Sequence, residues 1–167
     1  MVEYDFVKTR REDVKPMPNE GKANKRFLRG MKFYTRLNVL VYRLSGGRLM
    51  NTAQGGLPIC LVAMTGAKTG KRRTIPLMHV PLDERKILVG SQGGLDKNPA
   101  WVYSVRANPD VEITAEGLRR NYRAREVDLE EKAELWPHLV AAYPPYDEYQ
   151  ARTDRNIPVF VCDPVDG

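Results

Sequence analysis

Lys68, Lys71, Arg72 and Arg73 fall within six positions of one another, in the run Pro58-Ile-Cys-Leu-Val-Ala-Met-Thr-Gly-Ala-Lys-Thr-Gly-Lys-Arg-Arg-Thr-Ile-Pro-Leu-Met-His-Val80. Four cations this close repel one another unless an anion arrives between them. Phosphate and carboxylate oxygens suit guanidinium forks and backbone N–H groups alike, so anion binding is the chemistry the cluster offers. A solvated cationic turn is the competing reading, because charge runs usually face water.

The spacing excludes familiar nucleotide loops. A Walker motif needs four residues between its glycines, then Lys and Ser or Thr at the start of a helix. Here three residues separate Gly66 from Gly70, and Lys71 is followed by Arg72. No G-x-G-x-x-G follows a predicted strand, so a Rossmann dinucleotide site has no support. His79 and His138 lack the neighbours of a catalytic triad or a metal site and read as structural; no metal is expected.

The elements that position the cations are legible as patterns. Residues 58–64 and 74–80 are short apolar runs with β-branched members, divided by Gly66 and Gly70, which predicts two strands and a hairpin. Lys86–Ser91 predicts a third strand, broken by Gly93-Gly94. Asn98-Pro99 supplies an N-cap and an N1 proline for a short helix to Ala107, closed by Asn108-Pro109. Val111–Thr114 and Asn121–Val127 predict two more strands around Gly117. Leu129–Ala142 predicts a helix with Leu135, Leu139 and Val140 facing inward, Tyr146–Arg152 a second, and Ile157–Cys162 the last strand. Short connections between most strands imply an antiparallel sheet, so the fold class is α+β, a small closed or partly closed barrel wrapped by helices.

Upstream, Lys22–Met50 holds no acidic residue but eight basic ones, Lys22, Lys25, Arg26, Arg29, Lys32, Arg36, Arg43 and Arg48. Phe33, Tyr34, Leu37, Leu40, Val41 and Leu44 recur at helical spacing, with the cations on another face. That pattern predicts a basic amphipathic helix over residues 25–44, ended by Gly46-Gly47. Such a helix either covers the barrel or rests on an anionic membrane surface. Residues 1–24, polar and carrying Pro16 and Pro18, read as a flexible leader, leaving 25–167 as a single domain.

The 167 residues carry a net charge of +6, which favours an anionic partner. The two cysteines, Cys60 and Cys162, sit in apolar runs and read as buried thiols of a reducing cytoplasm. No segment approaches the roughly 20 apolar residues of a membrane span, and the N-terminus lacks a signal-peptide core. The expected location is cytoplasmic, with peripheral contact at the inner face of the cell membrane left open.

Several motifs in one order resemble the deazaflavin (F420)-dependent nitroreductase family of mycobacteria and related actinobacteria. They are Thr65-Gly-Ala-Lys-Thr-Gly-Lys-Arg-Arg73 with Pro76-Leu77, Ser91-Gln-Gly-Gly94, Asn98-Pro-Ala-Trp101, Ala107-Asn-Pro109, Tyr143-Pro-Pro-Tyr146, Tyr149 and Thr153-Asp-Arg155. The resemblance runs from about Leu57 to Pro164. It implies a split β-barrel, mostly antiparallel and six-stranded, of the flavin-reductase and FMN-binding type. It also implies coenzyme F420, a hydride carrier with a phosphodiester and an acidic tail.

The same resemblance distributes roles along the chain. Lys68 and Arg73 match positions that hold the phosphate and tail, with Lys71 and Arg72 as supporting charge. Pro76, Leu77 and Met78 would line the ring; Val89, Gly90 and Ser91 would run along its edge, and Ala100 and Trp101 would lie beside it. Gln92 stands where better-known members carry lysine, which removes a charge from one contact. Tyr143, Tyr146 and Tyr149 recur every three residues and share a broad helical face. The resemblance sets that face, with Ser91, over the ring as the substrate pocket. The implied reaction is hydride transfer to a quinone, enone or nitroaromatic. A split barrel using FMN or another cofactor, and a non-catalytic basic module for anionic lipid or nucleic acid, stay open as alternatives, nucleic acid being disfavoured by the few interleaved aromatics. A homodimer is also left open.

Overall fold

The structure, a computed structural model, describes residues 37, 39–42, 44–47, 49, 51–53 and 56–165. Seven strands form one sheet: β1 (Ile59–Thr65), β2 (Arg72–Met78), β3 (Val80–Leu82), β4 (Arg85–Val89), β5 (Asp110–Ala115), β6 (Leu118–Glu126) and β7 (Val159–Pro164). Their order is β2-β1-β5-β6-β7-β4-β3, with every neighbouring pair antiparallel. Three helices accompany it, α1 (Ala100–Ala107), α2 (Leu129–Ala142) and α3 (Pro145–Ala151).

β2 and β3 are the two edges of that sheet, yet only His79 separates them in the chain. The chain pairs with β1 as far as Met78, turns at His79, and pairs with β4 from Val80 onward. The edges are therefore the halves of one bent strand, and the sheet curls until they meet, which removes most of the exposed edge. β2 and β4 are not paired, so the barrel is split. The single strand expected over 74–80, and with it the count of six, missed this corner: the structure has seven strands. His79 sits buried at the corner, its N–H donating to the Pro58 carbonyl at 3.0 Å.

Alternation along the strands places side chains on two apolar layers. Cys60, Val62 and Met64 of β1 join Ile113, Tyr122 and Phe160 beneath Trp101, Val102 and Val105 of α1. Ile87, Val159 and Val161 pack instead on Trp136 and Leu139 of α2 and Tyr146 of α3. β6 shows the period plainly, with Tyr122 and Ala124 buried between exposed Asn121, Arg123 and Arg125, as a strand with one wet face should. β1 has no such alternation because both its faces are covered.

The hairpin between β5 and β6 turns on Glu116 and Gly117, both with positive φ (53° and 80°), the geometry of a two-residue primed turn. Against it docks the end of the N-terminal helical segment, in which residues 37, 39–42 and 44 are helical. Tyr42 is its anchor: the buried phenol donates to the Thr114 carbonyl at 3.4 Å and accepts from the Glu116 N–H at 3.1 Å. Gly46 and Gly47 end the helix, and a Cβ on Gly47 would lie 2.5 Å from the Gly117 nitrogen. Of the expected apolar stripe, Val41 is half-buried while Leu37, Leu40 and Leu44 are 43%, 52% and 80% exposed, so these leucines do not cover the barrel. Tyr42, one position off that stripe, takes the buried place because its hydroxyl can cap the hairpin. Residues 25–36 of the predicted helix, and the leader 1–24, lie outside the described residues.

Candidate functional site

The cationic turn connects β1 to β2 through residues 66–71. The Gly66 N–H donates to the Lys71 carbonyl at 3.0 Å and the Gly70 N–H to the Gly66 carbonyl at 2.9 Å, with Gly70 at a φ of 63°. Lys68, Lys71, Arg72 and Arg73 are all exposed. Arg72 reaches Glu112 of β5 at 3.1 Å, and Arg119 approaches the same carboxylate at 3.9 Å. Among the described residues no carboxylate pairs with Lys68, Lys71 or Arg73.

Helix α1 links this turn to a second one. At its C-terminus the Asn108 amide donates to the Thr65 carbonyl at 3.4 Å. At its N-terminus the chain comes from the 90–98 segment, eight helical residues away, about 12 Å along the axis. The helix is capped by Pro99 rather than the expected Asn98, whose side-chain oxygen accepts from Arg155 Nη1 at 2.7 Å instead. Ala100 is exposed, whereas Trp101 is buried with its ring 5.5 Å from Phe160.

The 90–98 segment is tightly specified. A Cβ on Gly90 would meet Pro158 Cγ at 2.8 Å and Val102 Cγ2 at 2.9 Å. Ser91 is buried in helical conformation, and Gln92, Gly93 and Gly94 follow with φ of 47°, 67° and 80°. Gln92 is exposed. Gly94 lies against α3, where an added Cβ would stand 2.6 Å from the Tyr149 carbonyl oxygen.

Helix α3 carries Tyr146 and Tyr149 beside this turn, whereas Tyr143 precedes it as the non-helical cap of α2, so the three do not share one helical face as expected. Tyr146 is buried, its ring 5.0 Å from Tyr143 and 6.5 Å from Tyr149. Tyr143 and Tyr149 are half-buried, with their hydroxyls 3.3 Å apart. Met78 and Val89 pack against the same cluster as these tyrosines. Leu77, alternating with its neighbours, packs on the opposite layer under α1, so Pro76, Leu77 and Met78 do not present one continuous wall. Burial pushes the Tyr149 hydroxyl up to about 12, with Tyr143 adding to the effect, and raises Tyr146 further. Both phenols therefore stay protonated at neutral pH and can donate.

Two polar groups here left no recognisable sequence signal of their role. Lys132, on the inner face of α2, is buried without a carboxylate partner among the described residues: it donates to Gln150 Oε1 at 2.9 Å and to Asn156 Oδ1, 4.6 Å from the Trp136 ring centroid. Burial, helped by the charge of Arg155, pulls its ammonium down to about 8. Arg155 bonds the backbone of the 90–98 segment; its place in Thr153-Asp-Arg155 marked it as family pattern without a function. The thiols of Cys60 and Cys162 are buried and pushed upward by desolvation, Cys60 to about 12. His79, drawn down to about 4 by burial, is neutral. Among the described residues no group of three or more His, Cys, Asp or Glu could hold a metal.

This split antiparallel barrel carries at one turn three cations without a carboxylate partner among the described residues, and packs three tyrosines together beside another. The family model described as F420H(2)-dependent quinone reductase matches residues 34–164, and the chain belongs to that family. It is 36% identical over 129 residues to an F420H(2)-dependent quinone reductase of Mycobacterium tuberculosis, covering 75% of this chain and 87% of that protein. Among solved structures, an F420-H2 dependent reductase (FDR-A) matches at 45% identity and a TM-score of 0.59, over 64% of this chain and 94% of that one. A structure described as a domain-swapped dimer matches at 36% identity and a TM-score of 0.62, over 84% and 100%.

Proposed function

We propose that this protein is an F420-dependent oxidoreductase that carries a hydride from the reduced deazaflavin to a quinone. Membership of the F420H(2)-dependent quinone reductase family, over residues 34–164, carries the reading. The donor chemistry of this chain fits the coenzyme. Lys68, Lys71 and Arg73 are exposed, without carboxylate partners among the described residues, and suit a phosphodiester and an acidic tail. Met78, Val89, Tyr143 and Tyr149 pack on one apolar cluster, and with Ser91 they offer the apolar surface and the few hydroxyls that flat ligands require. Gly90, Gln92, Pro76, Leu77, Ala100 and Trp101 complete the neighbourhood proposed for the ring, Leu77 and Trp101 by supporting it from the core.

Reducing a quinone to a hydroquinone takes one hydride and one proton. When bound, the reduced coenzyme supplies the hydride. The protein holds the acceptor, excludes water and meets the negative charge growing on the quinone oxygen. The paired hydroxyls of Tyr143 and Tyr149 are the donors for that oxygen, and the proton reaches it from solvent through one of them. Tyr146 backs both rings from the core rather than presenting its own hydroxyl. The test is oxidation of reduced F420 by menadione, followed by the coenzyme's absorbance. Turnover with FMN and none with F420 would overturn the reading; enones and nitroaromatics run in parallel define the acceptor range.

A peripheral contact with anionic membrane is proposed as a second reading, on one observation: Leu37, Leu40 and Leu44 are exposed on the helical segment. A second copy of the chain is the competing cover for these leucines, and light scattering in the absence of lipid separates the two. No helix among the described residues is long and apolar enough to cross a membrane.

A further inference from the structure

The guanidinium of Arg155 donates to four acceptors in the 90–98 segment. Nε reaches the Leu95 carbonyl at 2.7 Å and Nη1 the Asn98 side chain at 2.7 Å, while Nη2 reaches the carbonyls of Gly90 at 3.1 Å and Ser91 at 2.7 Å. None is a carboxylate. What Arg155 supplies is therefore a rigid fork of donors rather than a counter-charge. The arginine is itself held from behind. Gln150 Nε2 donates to its carbonyl at 2.9 Å, and Gln150 Oε1 accepts from Ile157 N–H at 3.0 Å and from Lys132. Thr153 adds a bond to Asp96 at 3.3 Å.

The segment so held is one that would not hold itself. Three consecutive residues have positive φ, and for Gln92 that conformation costs about 1 kcal/mol. Such a backbone persists where its surroundings over-determine it. The bonds also fix a direction. In a trans peptide the carbonyl and the following N–H point opposite ways, and the described chain has no cis peptide. With the Gly90 and Ser91 carbonyls turned to the guanidinium, the N–H groups of Ser91 and Gln92 point away from it. Neither has an acceptor among the described residues.

We propose that Arg155 is a positioning residue for the coenzyme: it draws the Gly90 and Ser91 carbonyls to one side so that the Ser91 and Gln92 amides face the bound deazaflavin. The inference rests on the F420 reading given above. It is tested by titrating oxidised F420 fluorescence into the protein and its Arg155→Lys and Arg155→Ala variants, with thermal unfolding and menadione kinetics alongside. Both variants should fold and bind the coenzyme about tenfold more weakly, the scale of one lost charged contact. Menadione KM should move less than coenzyme affinity. Low-millimolar guanidinium should restore the Arg155→Ala variant, while methylammonium should not, since only the fork reproduces the four bonds. Parent-like affinity in both variants, weakened binding that guanidinium leaves unchanged, or variants that do not fold would each overturn the role. A parent protein that fails to bind F420 in the same titration would instead overturn the underlying reading.

Discussion

Charge at single residues divides into groups with partners and groups without. Arg72 is engaged by Glu112, so it belongs partly to the sheet, whereas Lys68 and Arg73 have no such carboxylate among the described residues. Replacing Lys68 or Arg73 with Ala should weaken F420 binding about ten- to a hundredfold, from one lost charge-assisted contact of about 1.5–3 kcal/mol. The melting temperature should stay near the parent's, because neither side chain supports the core. Fluorescence titration with unaltered affinity in both variants would remove the turn from the site. Lys132 makes the opposite kind of case, a cation whose environment is built from amides and an indole. Its folded pKa of about 8 lies below the ordinary 10.5, so the folded state releases the proton first as pH rises. The burial cost is thus fully present below about pH 8 and is relieved between there and about 10.5. Urea midpoints measured from about pH 7 to about pH 10 should rise in the parent relative to Lys132→Met. Parallel curves would show that Lys132 does not titrate in this range.

The elements were legible where one period ruled them. Leu129–Ala142 begins at Asp128, whose carboxylate accepts the Glu131 N–H at 2.8 Å, and it ends before Pro144, so its limits could be read from cap and breaker. Its inward face was only half legible, because Lys132 and Trp136 lie buried beside Leu139 and a lysine carries no apolar signal. The strands were located to within a few residues, but the bend at His79 was not. A corner between two partners leaves the run 74–80 looking continuous, and only the pairing of Met78 with β1 and of Val80 with β4 reveals it. The three tyrosines do pack together, but not on the one helical face their period suggested, because Tyr143 caps the preceding helix and Tyr146 faces the core. Arg155 was invisible as a role because its partners are backbone carbonyls about 60 residues away, with no charge pattern to announce them. Packing between the 92–94 turn and α3 then yields an element-scale expectation. Gly94→Ala puts a methyl 2.6 Å from the Tyr149 carbonyl oxygen at a φ of 80°, so turn and helix must separate. Strain of this kind costs about 1–3 kcal/mol, and it falls between the 92–94 turn and the helix that carries Tyr146 and Tyr149. Menadione turnover should collapse while far-UV circular dichroism keeps the sheet; an active Gly94→Ala protein would mean that the two elements are free to shift.

At the scale of the whole molecule, the chain carries a net charge of +6 and a run from Lys22 to Met50 without an acidic residue, and the described part of that run exposes leucines. Among the described residues of 37–44 only Tyr42 is deeply buried, so Leu37 and Leu40 are spare as far as the barrel is concerned. Leu37→Ser with Leu40→Ser should consequently leave the melting temperature almost unchanged, contrary to what a helix packed through those leucines would give. If the segment instead meets lipid, the same double variant should lose binding to anionic vesicles. Each Lys or Arg near such a surface contributes about 1 kcal/mol, and the attraction fades beyond a Debye length of about 10 Å at 0.1 M salt. Co-sedimentation with phosphatidylserine-containing vesicles should therefore be strong at low ionic strength, weaken as salt is added, and fall further in the double variant, where the apolar part of the contact is gone. Parent protein left wholly in the supernatant at low salt would end the membrane role while leaving the reductase reading intact.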